Sequence, residues 1–175
     1  KILNILSNEY PDAGCHLDYN NPFELLISTL LAAQCTDERV NTVMVPLFKK
    51  YKTPNDFLNL KPAELEHELR SINFYRNKTK SVLNCCAALV NEHNSEVPKT
   101  MGELTKLAGV GRKTANVVLG NCFGEPAIMT DTHLNRVSQR LGLTDNDKPE
   151  KIEMDLKEII PDKMQVQYSH VIGQH

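Results

Sequence analysis

The sequence predicts an all-α fold, and three observations carry that expectation. Apolar residues recur at i, i+3, i+4 spacing along most of its 175 residues. No segment alternates apolar and polar residues with the period of two that a half-buried strand requires. Helix-starting signals, above all Asn or Thr caps and early prolines, stand in front of several of the apolar stripes.

The first clear stripe is Phe23, Leu26, Ile27, Leu30 and Leu31, preceded by Asn21 as N-cap, Pro22 at the first helical position and Glu24 at the third. Val40, Val43, Met44, Leu47, Phe48 and Tyr51 make a second, in which Pro46 predicts a kink or restart. Pro62 opens a helix that turns Leu65, Leu69 and Ile72 inward. Val82, Leu83, Cys86, Leu89 and Val90 mark a longer one. Thr100 and Glu103 form a capping box for a short helix through Leu104 and Leu107. Beyond Gly111 another helix carries Ala115, Val118, Leu119 and Cys122 on one face. Asp131 caps the next, with Leu134, Val137 and Leu141 inward, and Ile152, Leu156, Ile159 and Ile160 give one more.

Composition narrows the function classes. Hydrophobic content of 41% and a mean hydropathy of −0.38 suit an ordinary globular chain. No apolar run approaches the roughly 20 residues of a membrane span, and no leader-like segment is visible, so no membrane partner is expected. The chain opens at Lys1 rather than at methionine. Cys15, Cys35, Cys85, Cys86 and Cys122 are scattered with no C-x-x-C pair, which argues against a disulfide framework or a zinc site and for reduced, packed thiols. The net charge of −2 hides an asymmetry: residues 70–113 carry eight basic side chains against three acidic ones. A local basic surface on an acidic chain suits phosphate binding, although a solvated helix face would look the same.

The most informative stretch is Leu107-Ala108-Gly109-Val110-Gly111-Arg112-Lys113-Thr114. A short helix ends, a Gly-Val-Gly turn follows, and a second helix begins with two cations. The first N–H groups of that helix lack intrahelical acceptors and carry the positive end of its dipole. Such a hairpin grips a nucleic-acid phosphate without reading bases. Lys113, in the first turn, sits in a field that favours the neutral amine, the form that attacks carbon. It is a candidate nucleophile or a phosphate-contacting lysine. Downstream, Asp131 is an N-cap that can also accept a proton or stabilise a positive, sugar-like transition state. His133 and Arg136, three apart on the same helix, can orient Asp131 or touch phosphate.

Taken together, these motifs resemble the endonuclease III family of the helix-hairpin-helix DNA glycosylase superfamily. LAGVGRKTANVVL, over 107–119, resembles the family's hairpin, and Asp131 follows Lys113 by the family's eighteen positions. The segments NPFELLISTLLAAQCTD, 72–80, NEHNSEVP and HVIGQH match in order. The resemblance implies two helical lobes flanking a DNA-binding cleft. Residues 16–125 would form a central helical barrel with the hairpin at about 100–123, and 1–15 plus 126–175 a second helical domain. Residue by residue, it implies that Lys113 is the Schiff-base nucleophile and Asp131 the essential carboxylate. Gln34 matches the glutamine that enters the gap left by a flipped nucleotide. Phe74 falls where the family places an apolar wedge, usually leucine; without the resemblance it would be assigned to the core. Gly109, Val110, Gly111 and Arg112 match the phosphate-gripping hairpin, with Ala108 in place of a common proline. The family also continues past the position of His175 into a loop whose four cysteines bind a [4Fe-4S] cluster. No cofactor site is encoded within the 175 residues, and the cluster is expected where the native chain continues.

The implied activity is that of a monomeric bifunctional glycosylase and AP lyase. It would act on duplex DNA containing oxidised pyrimidines or abasic sites, through a lysine imine and β-elimination. The expected compartment is the bacterial cytoplasm, or the nucleus or mitochondrion of a eukaryote. A mismatch- or purine-directed glycosylase of the same superfamily is one alternative, disfavoured by Lys113. A non-catalytic helix-hairpin-helix DNA-binding module is the other, and it leaves the pairing of Lys113 with Asp131 unexplained.

Overall fold

The computed structural model describes residues 2–175, and among them the secondary structure is entirely helical. The helices are α1 (Ile2–Glu9), α2 (Pro22–Ala32), α3 (Asp37–Lys50), α4 (Pro54–Leu58), α5 (Pro62–Leu69), α6 (Tyr75–Glu92), α7 (Met101–Leu104), α8 (Arg112–Phe123), α9 (Thr132–Arg140), α10 (Pro149–Ile159) and α11 (Asp162–Gln174). They fall into two compact units, one of His16–Val118 and one of Lys1–Cys15 with Leu119–His175. The division runs through α8.

In the larger unit, α6 packs against α2, α4 and α5. Asn21 caps α2 as its sequence foretells, its side chain accepting from the Glu24 amide at 3.0 Å. The one-sided stripe expected for α2 is too narrow, because Leu25 and Ser28 are as fully buried as Leu26 and Ile27. A helix enclosed on all sides needs no polar face, so periodicity underestimates its burial. Even Glu24 is buried; its carboxylate accepts from the backbone and side-chain amides of Asn20 at 2.7 and 2.9 Å. Phe23, Phe48 and Phe57 meet at centroid distances of 5.6 to 6.3 Å, where edge-to-face packing is favourable.

Pro46 does not restart α3, which is a single helix from Asp37 to Lys50. Pro46 is exposed and removes only one backbone donor, while Val40, Met44, Leu47 and Phe48 are buried on either side of it. On α6 the buried face is Lys78, Thr79, Val82, Cys85, Cys86 and Leu89, so Leu83 and Val90 lie at its margin.

The smaller unit closes over Leu6, Ile128, Leu134, Val137, Ile152, Leu156, Ile160, Tyr168, Val171 and Ile172. Ile159, expected inward, is 53% exposed. α10 ends there, and the extended backbone at Ile160 turns the following side chain into the core instead. The Tyr168 hydroxyl is buried against Ser138 Oγ at 2.8 Å, and burial raises its pKa.

Asp155 ties the loop before α10 to that helix. It accepts from the Thr144 hydroxyl and, at 2.7 Å, from Asn146 Nδ2, and these bonds lower its pKa below 3.8. A carboxylate whose folded pKa lies below its unfolded value contributes stability that is complete above the unfolded value and lost as pH falls through the folded one. Acidification from about pH 5 to about pH 2.5 is therefore expected to lower Tm more in the wild type than in Asp155→Asn, as read by thermal melts across that range.

Candidate nucleic-acid interface and active site

The hairpin lies in the larger unit. α7 starts at the Thr100 cap, whose side chain accepts from the Glu103 amide at 3.3 Å and donates to the Glu103 carboxylate at 2.6 Å. Leu107 and Val110 are buried and pin the turn, and the Val110 amide bonds to the Leu107 carbonyl at 3.1 Å. Gly109 has φ +77°, and a Cβ there would lie 3.1 Å from Ser81 Cβ and 3.3 Å from Leu30 Cδ1. Positive φ and close packing both call for glycine. Gly111 is different: it is exposed, and a Cβ would meet nothing within 4 Å. Open space there leaves room for a ligand to approach the backbone. Gly109→Ala is expected to cost about 1–3 kcal/mol, measurable by denaturant titration, and to weaken duplex binding.

α8 follows at once, with the Ala115 amide closing on the Gly111 carbonyl at 2.9 Å. This places Arg112, partly exposed, and Lys113, exposed, in the first turn. A primary amine thus stands beside the Gly109–Gly111 backbone, at the helix end where a cation is least favoured.

Two further turns of the same unit present the other candidates. Gln34 follows α2 with φ +55°, and Phe74 precedes α6 with φ +57°, both in the left-handed region that L side chains rarely adopt. Asn73 Nδ2 donates to the Gln34 carbonyl at 2.6 Å, joining the turns directly. Arg39 Nη1 donates to the Ser71 carbonyl at 3.4 Å. Between them lies an open recess of ≈ 390 Å³ lined by Gln34, Cys35, Thr36, Arg39, Ser71 and Asn73. Phe74 is 64% exposed, which corrects its assignment to the core on residue type alone.

Asp131, His133 and Arg136 belong to the smaller unit. Asp131 is the N-cap of α9, Oδ1 accepting from the Leu134 amide at 2.8 Å. His133 Nε2 lies 3.1 Å from the Ile172 carbonyl and Nδ1 lies 3.2 Å from Arg136 Nη2. A carbonyl only accepts and a guanidinium only donates, so the ring is the neutral Nε2–H tautomer. His133 thus links α9 to α11 and steadies the exposed Arg136.

The basic segment needs one correction. Of its eight cations Lys78 is buried, and the remaining seven supply the surface charge. The burial of Lys78 has a signal in the sequence. The signal was its place at the head of the stripe Lys78, Val82, Cys85, Cys86, Leu89, where a surface lysine does not belong.

Among the described residues no group of His, Cys, Asp or Glu is arranged to hold a metal ion. Burial pushes the Cys85 thiol up to about 12 and Cys122 up to about 11, and raises Cys86 as well. Among the described residues no helix is long and apolar enough to cross a membrane.

The all-helical chain, with a glycine hairpin leading two cations into α8, has the helix-hairpin-helix DNA-glycosylase fold of the proteins it matches. The family model of the HhH-GPD superfamily of base excision DNA repair proteins matches residues 27–162. Endonuclease III of Synechocystis is 49% identical over 162 residues, 92% of this chain and 74% of that protein. Endonuclease III of Escherichia coli is 37% identical over 175 residues, 100% of this chain and 83% of that protein. A solved structure of a trapped endonuclease III–DNA covalent intermediate superposes with a TM-score of 0.93 at 47% identity, covering 97% of this chain and 80% of that one. The chain belongs to the endonuclease III family of the HhH-GPD superfamily.

Proposed function

We propose that the chain removes oxidised pyrimidines from duplex DNA and cuts the strand at the resulting abasic site, with Lys113 as nucleophile and Asp131 as the assisting carboxylate. The activity is that of a DNA glycosylase and AP lyase of base excision repair, acting on damaged DNA. The observation that carries the assignment of the nucleophile is the exposed Lys113 amine in the first turn of α8, next to the Gly109–Gly111 hairpin.

The hairpin N–H groups and Arg112 hold the phosphate beside the lesion, and Arg136, steadied by His133, contributes a further cation. The damaged nucleotide leaves the stack at a cost of a few kcal/mol, least for a base that stacks poorly. Gln34 and Phe74 occupy the gap. The Lys113 amine, as free base, attacks C1′; the C1′–N bond breaks and its electron pair departs with the base, which takes up a proton. Asp131 accepts the proton the amine loses and offsets positive charge on the sugar. The sugar ring opens to the imine. The imine acidifies the C2′ proton, and its loss expels the 3′ phosphate by β-elimination. None of these steps uses a metal. A [4Fe-4S] cluster would need other ligands, since among the described residues no group of His, Cys, Asp or Glu is arranged to hold a metal ion. The bacterial origin of the relatives favours a cytoplasmic enzyme, and we read it as a nucleoid-associated monomer.

The substrate class is tested by measuring base release from otherwise identical duplexes containing thymine glycol, 8-oxoguanine or an adenine mispair. Preferential release of thymine glycol is expected. Preferential adenine release would move the chain to a purine-directed branch. Binding of an abasic duplex that stays intact would leave a non-catalytic module.

A further inference from the structure

Lys78 is 8% exposed, and its chemistry is spent entirely on backbone. Its Nζ donates to the carbonyls of Leu31 at 2.8 Å and Ala33 at 2.6 Å, at the C-terminal end of α2. Those carbonyls are left without amide partners by the end of the helix and carry the negative end of its dipole, so an ammonium is the matching donor. The same residue's amide donates to the Phe74 carbonyl at 3.1 Å. That backbone bond is the first regular turn of α6, which any residue there would make; what the lysine adds is the side-chain link from the start of α6, just after Phe74, to the end of α2 beside Gln34.

The two turns it joins are both costly. Gln34 and Phe74 hold left-handed backbone conformations, which residues with a side chain rarely adopt. Such conformations persist where the surroundings over-determine them. Here the restraints are the two Lys78 Nζ bonds, the Asn73 bond to the Gln34 carbonyl and the Arg39 bond to Ser71. Burial of the ammonium lowers its pKa, with Cys35 nearby acting in the opposite sense. Burying an amine here carries a desolvation cost that a residue serving only to fill space would not require.

We infer that Lys78 is a positioning residue that locks the Gln34 and Phe74 turns into one rigid blade, so that both side chains enter the DNA together. This rests on the proposal that those two residues fill the gap in the stack. The partner is then a duplex already weakened at one nucleotide. A preorganised blade gains affinity for the gap by avoiding the cost of ordering two loops at the moment of insertion.

The test uses a duplex with a tetrahydrofuran abasic analogue opposite 2-aminopurine, whose fluorescence rises when the base is unstacked. Lys78→Met, with folding checked by circular dichroism, is expected to lose most of the rise. It should also bind this duplex about tenfold more weakly, while binding to undamaged duplex stays within about twofold. Asn73→Ala, a change at an exposed residue, should reduce the rise in the same direction, and Lys78→Gln, which keeps a donor but not both bonds, replaces Lys78→Met as the test of Lys78 if that variant fails to fold. In a Gln34→Ala/Phe74→Ala background, Lys78→Met should add no further loss, since Lys78 acts only through those residues.

Should Gln34→Ala and Phe74→Ala themselves leave the fluorescence unchanged, the gap-filling assignment fails and the inference fails with it. Should they suppress the signal while Asn73→Ala and folded Lys78→Met retain it, the inference about Lys78 alone is overturned.

Discussion

Lys113→Ala is expected to abolish strand cutting and imine formation, lowering lyase activity by at least about a thousandfold while leaving the fold intact. The residue is exposed in the first turn of α8, so its removal leaves no cavity. Alanine is the best helix former, and losing a cation from a helix N-terminus is neutral or mildly favourable. Tm should therefore not fall. DNA affinity should decline only modestly, because the hairpin backbone and Arg112 remain, and the dependence of log K on log salt should shallow by at most about one unit. Single-turnover cleavage of an abasic duplex measures the first effect and a filter-binding salt series the second. A variant that still cuts at the wild-type rate assigns the nucleophile elsewhere.

Asp131→Asn separates the two tasks of one side chain. As N-cap, Asp131 accepts from the Leu134 amide, and asparagine caps about as well as aspartate. Tm should thus be nearly unchanged. Asparagine carries no negative charge and cannot take a proton from the attacking amine, so base release should slow by about 10²- to 10⁴-fold. Asp131→Ala loses the cap as well and should cost about 1 kcal/mol of stability in addition. Comparing thermal melts and single-turnover base release for the two variants reads the tasks independently. Equal activity in Asp131→Asn and wild type would reduce Asp131 to a cap.

Much of this site is legible in the chain itself, because its parts are local. The Gly109–Lys113 turn, the Asn21, Thr100 and Asp131 caps and the stripe on α9 each depend on residues within four positions, and the structure has them where the spacing puts them. What sequence could not supply depends on neighbours far along the chain. The burial of Lys78 is decided by the end of α2, more than forty residues earlier. The exposure of Phe74 follows from a left-handed turn held by Asn73 against Gln34, which residue type alone would never suggest. The carbonyl that engages the His133 ring comes from Ile172 on α11, a partner that no local spacing reveals. Pro46 predicted a break because a helix in isolation would have one, yet α3 is packed on both sides of it.

The most direct test of the central claim is to trap the protein on a thymine glycol duplex with borohydride, digest the adduct and map the modified peptide by mass spectrometry. The reduced sugar is expected on the peptide containing Lys113, at that residue. An adduct on any other amine, or base release with no adduct at all, would contradict the assignment of Lys113 as the nucleophile.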